Sequence, residues 1–245
     1  MNQLASFVVR NFCFGRIRTN ERKKYIRRAA EKAGLHVYRG DLRWTKGGDL
    51  LRGKARNIKG IPDARCFVLQ SVIRDLASVP GDVAECGVRF GKSTAFLLEA
   101  DKEKRTYHLF DSFEGLSEPV AEDISPNGKC HWVKNELIAP QEIAVKNLKD
   151  FSNVRFYKGW IPDRFPEVAD CSFALLHLDV DLYQPTVDAL KFFWPLLTVG
   201  GVVICDDYGF VSCPGAEKAM DSFFADKRVR FIDLPTGQAM VIKIG

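Results

Sequence analysis

His177-Leu178-Asp179-Val180-Asp181 and Cys205-Asp206-Asp207-Tyr208-Gly209, whose Asp206 follows Asp179 by twenty-seven residues, decide how this chain is read. Each closes an apolar run, Phe173-Ala174-Leu175-Leu176 before the first and Gly201-Val202-Val203-Ile204 before the second. Residues 184–197, between them, have the length and composition of a crossover helix. A strand, helix and strand of that span form a βαβ unit whose strands lie parallel. Their carboxyl ends share one edge of the sheet, where open α/β folds bind ligands. Asp179, Asp206 and Asp207 are therefore expected to converge. Three carboxylates in one crevice repel unless a cation joins them, and hard oxygen ligands select Mg²⁺, Ca²⁺ or Mn²⁺.

The upstream half predicts a second site. Residues 81–94, Gly-Asp-Val-Ala-Glu-Cys-Gly-Val-Arg-Phe-Gly-Lys-Ser-Thr, run from a turn through a short strand into a glycine-rich loop, and a helix is expected from about Ser93 to Ala100. Glycines let a ligand approach the backbone, and a helix amino end offers free N–H groups to an anion. Gly91-Lys92-Ser93 suggests a phosphate-binding loop, but that pattern needs glycine at position 86, where Cys86 stands. Gly87 to Gly91 is likewise only part of a dinucleotide fingerprint. The next expected strand, Tyr107-His108-Leu109-Phe110, ends in Asp111, twenty residues after Gly91. A ribose-binding carboxylate belongs there; an ordinary cap at a turn is the alternative.

Taken together, Glu85-Cys86-Gly87, Leu109-Phe110-Asp111-Ser112-Phe113-Glu114-Gly115-Leu116, His177 to Tyr183, and Gly200-Gly201 with Asp206-Asp207-Tyr208-Gly209 resemble the macrocin O-methyltransferase family. The resemblance covers roughly residues 60–245. It implies an α/β class I methyltransferase, Rossmann-like, with a mostly parallel seven-stranded sheet, a terminal antiparallel hairpin and an N-terminal helical extension. It also implies Mg²⁺-dependent methylation of a sugar hydroxyl from S-adenosylmethionine (SAM). Carried over by motif, Glu85 and Gly87 would line the methionine end of SAM, with Gly91 and Ser93 beside them. Asp111 would hold the ribose, and Gly159-Trp160 would flank the adenine. Asp179, Asp206 and Asp207 match the metal ligands, with Asp179 also the candidate general base. Methylation of a phenolic, catechol-type acceptor and a non-catalytic SAM-binding role stay open as alternatives.

At 245 residues and 46% hydrophobic composition, one α/β domain with an extension is the economical count. The expected division is a basic, partly helical extension over 1–60 and a methyltransferase domain over 61–245. The net charge of +5 conceals an asymmetry: residues 1–60 hold sixteen Lys/Arg against four Asp/Glu, and the remainder twenty against twenty-seven. Such a basic arm suits an anionic partner. Leu4, Phe7, Val8 and Phe12 share one helical face ahead of Arg16–Arg28, so the arm reads either as an interfacial membrane helix or as a cap on the core or on a second copy. Nucleic acid is not expected, because interleaved aromatics and base-reading motifs are missing. Seven cysteines without metal spacing, a start that lacks a basic leader, and no membrane-length apolar run point to the cytoplasm, with peripheral membrane contact left open. The partner expected is a small-molecule or lipid-linked glycan acceptor.

A helix is expected over 21–33 and another over 64–79, with loops over 40–60. Residues 229–233 and 239–244 should pair around Pro235-Thr236-Gly237. Residues 112–139 form a long irregular stretch, the kind that serves as a lid or binding loop. Within it His131 and Trp132 either stack on a sugar or anchor the loop. His177 reads as a hydrogen-bonded core residue. Asp181 either supports the metal ligands or orients the crossover helix. Tyr183 and Tyr208 wall the site or pack, and Lys92 meets an anion or is solvated.

Overall fold

The structure, a computed structural model, describes residues 54–245. The basic arm, the helix expected over 21–33 and most of the loop expected over 40–60 lie outside the described residues. The five apolar runs form β1 (Asp82–Cys86), β2 (Tyr107–Asp111), β3 (Val154–Lys158), β4 (Phe173–Leu178) and β5 (Leu197–Cys205), and the terminal pair forms β6 (Val229–Asp233) and β7 (Ala239–Lys243). They make one seven-stranded sheet in the order β3-β2-β1-β4-β5-β7-β6. The first five strands pair parallel, while β7 runs antiparallel to β5 and to β6. This is the α/β arrangement expected from the sequence. β4 is buried at all six positions, as a central parallel strand covered on both faces should be.

Among the described residues, five helices cover the sheet: α1 (Asp63–Asp75), α2 (Lys92–Ala100), α3 (Gln141–Leu148), α4 (Tyr183–Leu196) and α5 (Pro214–Phe224). The helix expected over 64–79 gives way to a 3₁₀ turn, Leu76–Ser78, ahead of Pro80-Gly81. Side-chain alternation along the strands divides the core in two. Leu69 and Ile73 of α1, Phe96 and Leu97 of α2 and Leu148 of α3 pack on one face with Val83, Leu109, Leu175 and Ile204. On the other, Phe193 of α4 and Met220 and Phe224 of α5 pack with Phe110, Phe173, Leu176 and Val203. Phe193 meets Phe110, Phe165 and Phe173 with ring centroids 4.8–5.6 Å apart, within the favourable range for aromatic pairs.

The ladders continue past the strand ends. Gly87 N–H donates to Phe110 O (2.9 Å), Asp179 N–H to Cys86 O (2.9 Å), Asp206 N–H to Leu178 O (2.7 Å) and Gly159 N–H to Asp111 O (3.0 Å). The four loops at the carboxyl edge are thus held in register by backbone bonds. That is what makes this edge a fixed platform for a site.

Candidate active site

A cavity of about 600 Å³ opens at that carboxyl edge. Gly87, Arg89, Asp111 and Trp160 line it together with Asp179, Asp181 and Asp207. Gly87 has φ +88°, and a Cβ there would lie 1.9 Å from the carbonyl oxygen of Asp179, so only glycine fits between the loops after β1 and β4. Arg89 and Asp181 also adopt left-handed backbone, at φ 50° and 60°; such strain in non-glycine residues gathers at functional sites. The Nε of Arg89 is buried without a hydrogen-bond partner among the described residues.

Not every residue singled out by sequence faces this space. Asp111 does, yet its carboxylate already accepts three backbone N–H groups, from Val88 and Arg89 on Oδ2 (2.7 Å each) and from Phe113 on Oδ1 (2.6 Å). It clamps the glycine-rich loop to the start of the following one and keeps one of about four acceptor directions free. Glu85 and Ser93 do not line the cavity. The Glu85 carboxylate is fully buried and accepts the hydroxyls of Ser93 and Thr94 and the Nδ1–H of His177. Gly91 starts α2 at φ +77° against Leu148, and Gly159 lies against Arg164, so both shape the wall from behind. Lys92 pairs with Asp63 of α1 at 3.1 Å.

The two adjacent aspartates point in different directions. Asp207 faces the cavity, its Oδ2 accepting Asp181 N–H at 2.8 Å. Asp206 is fully buried on the α1 face of the sheet. Its Oδ1 accepts from His177 Nε2 (3.1 Å) and Gln238 Nε2 (2.6 Å), and its Oδ2 from Arg65 Nη1 (2.9 Å). A polar chain, Ser93/Thr94–Glu85–His177–Asp206–Gln238, therefore crosses the sheet beneath the cavity. His177 is the buried, hydrogen-bonded core residue that its sequence context predicts. Burial opposes its charge, but the hydrogen bonds to Asp206 and Glu85 prevail and hold its pKa well above the usual imidazole value. Burial also works against Asp206, but His177 and Arg65 pull that carboxyl below its ordinary value.

For the cavity-facing carboxylates, what compensation there is, from His177 and Arg65 at Asp179 and from Cys213, Arg65 and Arg89 at Asp181, does not outweigh burial. Burial and the neighbouring acids push Asp179 and Asp207 well above the normal carboxyl range, and burial pushes Asp181 up to about 6. Asp181, Asp207 and Cys213 each present a ligand atom within 4.8 Å of the others. The two carboxylates of this set suit a hard divalent cation, while burial pushes the Cys213 thiol up to about 12.

Sequence reasoning missed Arg65, Arg89, Phe210 and Cys213, which also line the cavity. The Arg65 guanidinium lies 4.1 Å from the Phe210 ring centroid, a stacked arrangement open to arginine. Residues 112–139 fold over the opening, pinned where Leu116 and Asn135–Glu136 exchange backbone bonds (2.8 Å each). Trp132 lines the cavity and its Nε1–H reaches Cys213 Sγ at 3.4 Å, whereas His131 is exposed and faces away. Tyr208 packs on Phe231 and donates to Asp221, outside the cavity.

The fold and this edge-sited cavity define a class I methyltransferase-like α/β protein. A family model described as macrocin-O-methyltransferase matches residues 37–234, and the chain belongs to that family. It is 34% identical over 161 residues to 8-demethyl-8-(2,3-dimethoxy-alpha-L-rhamnosyl)-tetracenomycin-C 4'-O-methyltransferase of Streptomyces olivaceus, spanning 61% of this chain and 60% of that protein. With demethyldecarbamoylnovobiocin O-methyltransferase of Streptomyces niveus it shares 32% identity over 158 residues, 60% of each chain. The match thus spans three-fifths of these relatives' own length. Among solved structures, the O-methyltransferase NovP has a TM-score of 0.63 at 27% identity, covering 80% of this chain and 88% of that one. No helix among the described residues is long and apolar enough to cross a membrane.

Proposed function

We propose that this protein transfers a methyl group from SAM to a hydroxyl of a glycosyl acceptor, with a hard divalent cation, Mg²⁺ first, bound beside it. The observation that carries this reading is the joining of two chemistries in one cavity: a glycine-floored pocket lined by Asp111 and Trp160, and a cluster of carboxylates, Asp179, Asp181 and Asp207. The names of the relatives, which describe methylation of sugar-bearing and related natural products, support the same acceptor class.

The residues present fit both groups. The unpartnered Nε of Arg89 is suited to the carboxylate of the methionyl moiety, Asp111 has an acceptor direction for a ribose hydroxyl, and the Trp160 face suits adenine. Asp179 and Asp207 open directly on the cavity and would hold the cation, with Asp181 alongside. Asp206 would join them only as Arg65 releases its Oδ2, since His177 and Gln238 hold Oδ1.

Methyl transfer is an in-line displacement: the acceptor oxygen forms a bond to carbon as the carbon–sulfur bond breaks, and the hydroxyl proton must leave. A carboxylate alone is a poor base for this step. An ordinary Asp titrates near ~4 and an alcohol, like water, near about 16. That gap corresponds to about 16 kcal/mol at about 1.36 kcal/mol per pK unit, and the raised Asp179 carboxyl narrows it. A divalent cation held by Asp179 and Asp207 would supply the missing acidity by polarising the hydroxyl. Asp179 is placed to accept the proton, while Trp132 and the loop above exclude water and orient the sugar ring.

Calorimetry tests this reading. SAM should bind with and without Mg²⁺, NAD⁺ should not bind, and methyl transfer to a glycosylated acceptor should cease on chelation and return with Mg²⁺. A phenolic diol turned over in preference to any glycoside would move the acceptor to the catechol type. SAM binding without transfer to either would leave a binding protein.

A further inference from the structure

At the opposite edge of the sheet, three neighbouring strands each present a metal-ligating side chain at their amino ends. Asp82 is the first residue of β1, His108 the second of β2, and Cys171 stands two residues ahead of β4. One ligand atom from each lies within 4.8 Å of the other two. None belongs to the polar chain beneath the cavity or to the cavity itself.

Each of two ligands is anchored through its other polar atom. Asp82 Oδ1 accepts Thr106 N–H at 3.1 Å, which leaves Oδ2 directed at His108 Nε2, 3.0 Å away. His108 Nδ1 meets the Tyr157 hydroxyl at 3.0 Å, the outer partner that metal-ligating histidines commonly have. Its ring is wedged between Tyr157, 5.7 Å away and stacked, and the edge of Phe173 at 5.5 Å. The turn carrying Cys171 is tied down by Cys171 N–H to Val168 O (3.0 Å) and by Asp82 N–H to Ser172 O (2.8 Å). His108 is buried, while the Asp82 side chain is 32% exposed, which leaves a path for an ion.

We propose that Asp82, His108 and Cys171 form a zinc site at the amino edge of the sheet. Imidazole and thiolate with one carboxylate suit Zn²⁺ over Mg²⁺, and the carboxylate and thiolate together balance its charge. Zinc bond lengths of about 2.0–2.3 Å place tetrahedral ligand atoms roughly 3.3–3.7 Å apart. The Asp82–His108 pair is already close to that spacing, and an inward shift of about 1 Å by Cys171 completes it. Water takes the fourth position. The ion joins the starts of β1, β2 and β4, and none of its ligands lines the proposed catalytic cavity, so its role is structural.

Co²⁺ is the probe, added to the chelator-treated full chain. One equivalent should produce a thiolate-to-cobalt charge-transfer band that Zn²⁺ then removes by displacement. Cys171→Ser should abolish the band with an unchanged circular dichroism spectrum, and Cys213→Ser, at the other thiol beside carboxylates, should retain it. Tyr157→Phe, which releases the His108 ring, should weaken Zn²⁺ binding by about tenfold. A second readout needs no variant: Zn²⁺ should slow alkylation of Cys171 by iodoacetamide, followed by peptide mass spectrometry. A band of equal strength in Cys171→Ser, no band in the native chain, or equal alkylation of Cys171 with and without Zn²⁺ overturns the site.

Discussion

The guanidinium of Arg65 holds Asp206 at 2.9 Å, bridging 141 residues of chain between α1 and the end of β5. It occupies the oxygen that a metal would need from this carboxylate. Arg65→Gln should therefore tighten Mg²⁺ binding severalfold. The same change should lower metal-free stability by about 1.5–3 kcal/mol, the range for a hydrogen bond to a charged group. Mg²⁺ titration and thermal melts in chelator measure the two effects. Weaker Mg²⁺ binding in the variant would show that Arg65 supports the metal site and does not compete with it.

Asp206→Asn and Asp207→Asn should both remove metal-dependent turnover while leaving SAM affinity nearly unchanged. Their stabilities should diverge. Asp206→Asn deprives the buried charges of His177 and Arg65 of their partner, a change that costs about 3–5 kcal/mol. Asp207→Asn removes a carboxylate whose ionisation the site disfavours, so the metal-free protein should melt no lower than the native one. Equal destabilisation by the two substitutions would contradict the orientations described here.

Asp111→Ala should weaken SAM binding by about 1.5–3 kcal/mol. It should also lower the melting temperature without SAM, because Val88, Arg89 and Phe113 N–H lose their acceptor. Calorimetry and melting on the same sample separate the two losses. A drop in melting temperature with SAM affinity intact would reduce Asp111 to a clamp for the loop.

The long loop offers an internal control. Trp132→Ala should raise the acceptor KM and leave the SAM Kd unchanged, since the ring lines the cavity from the loop side. His131→Ala should alter neither. Steady-state kinetics with SAM saturating tests the pair, and a larger effect at 131 than at 132 would reverse the placement.

Much of the frame was legible because apolar runs with acidic or glycine-rich ends recur at βα spacing, and each such run forms a strand. The site was harder to read. Asp206 and Asp207 looked like a pair, yet consecutive residues leaving a strand face opposite sides; applied strictly, that alternation separates the residue held by Arg65 from the one facing the cavity. The family resemblance makes Glu85 a ligand contact, but its register opposite His177 turns it into the polar chain. Arg65 and Cys213 carry no local signal, since only the folding of α1 and the start of α5 against the carboxyl edge brings them in. Cys171 carries no local signal either, since it stands two residues ahead of β4.

The close approach at Gly87 bears on how this family can diversify. With a would-be Cβ 1.9 Å from the Asp179 carbonyl, the floor shared by the proposed cofactor and metal sites admits no side chain at all. Selection for a new acceptor cannot proceed by recutting that floor. It has to act on the roof, through residues such as Leu116, Trp132 and Leu137, where a change of shape leaves the backbone contact beneath untouched.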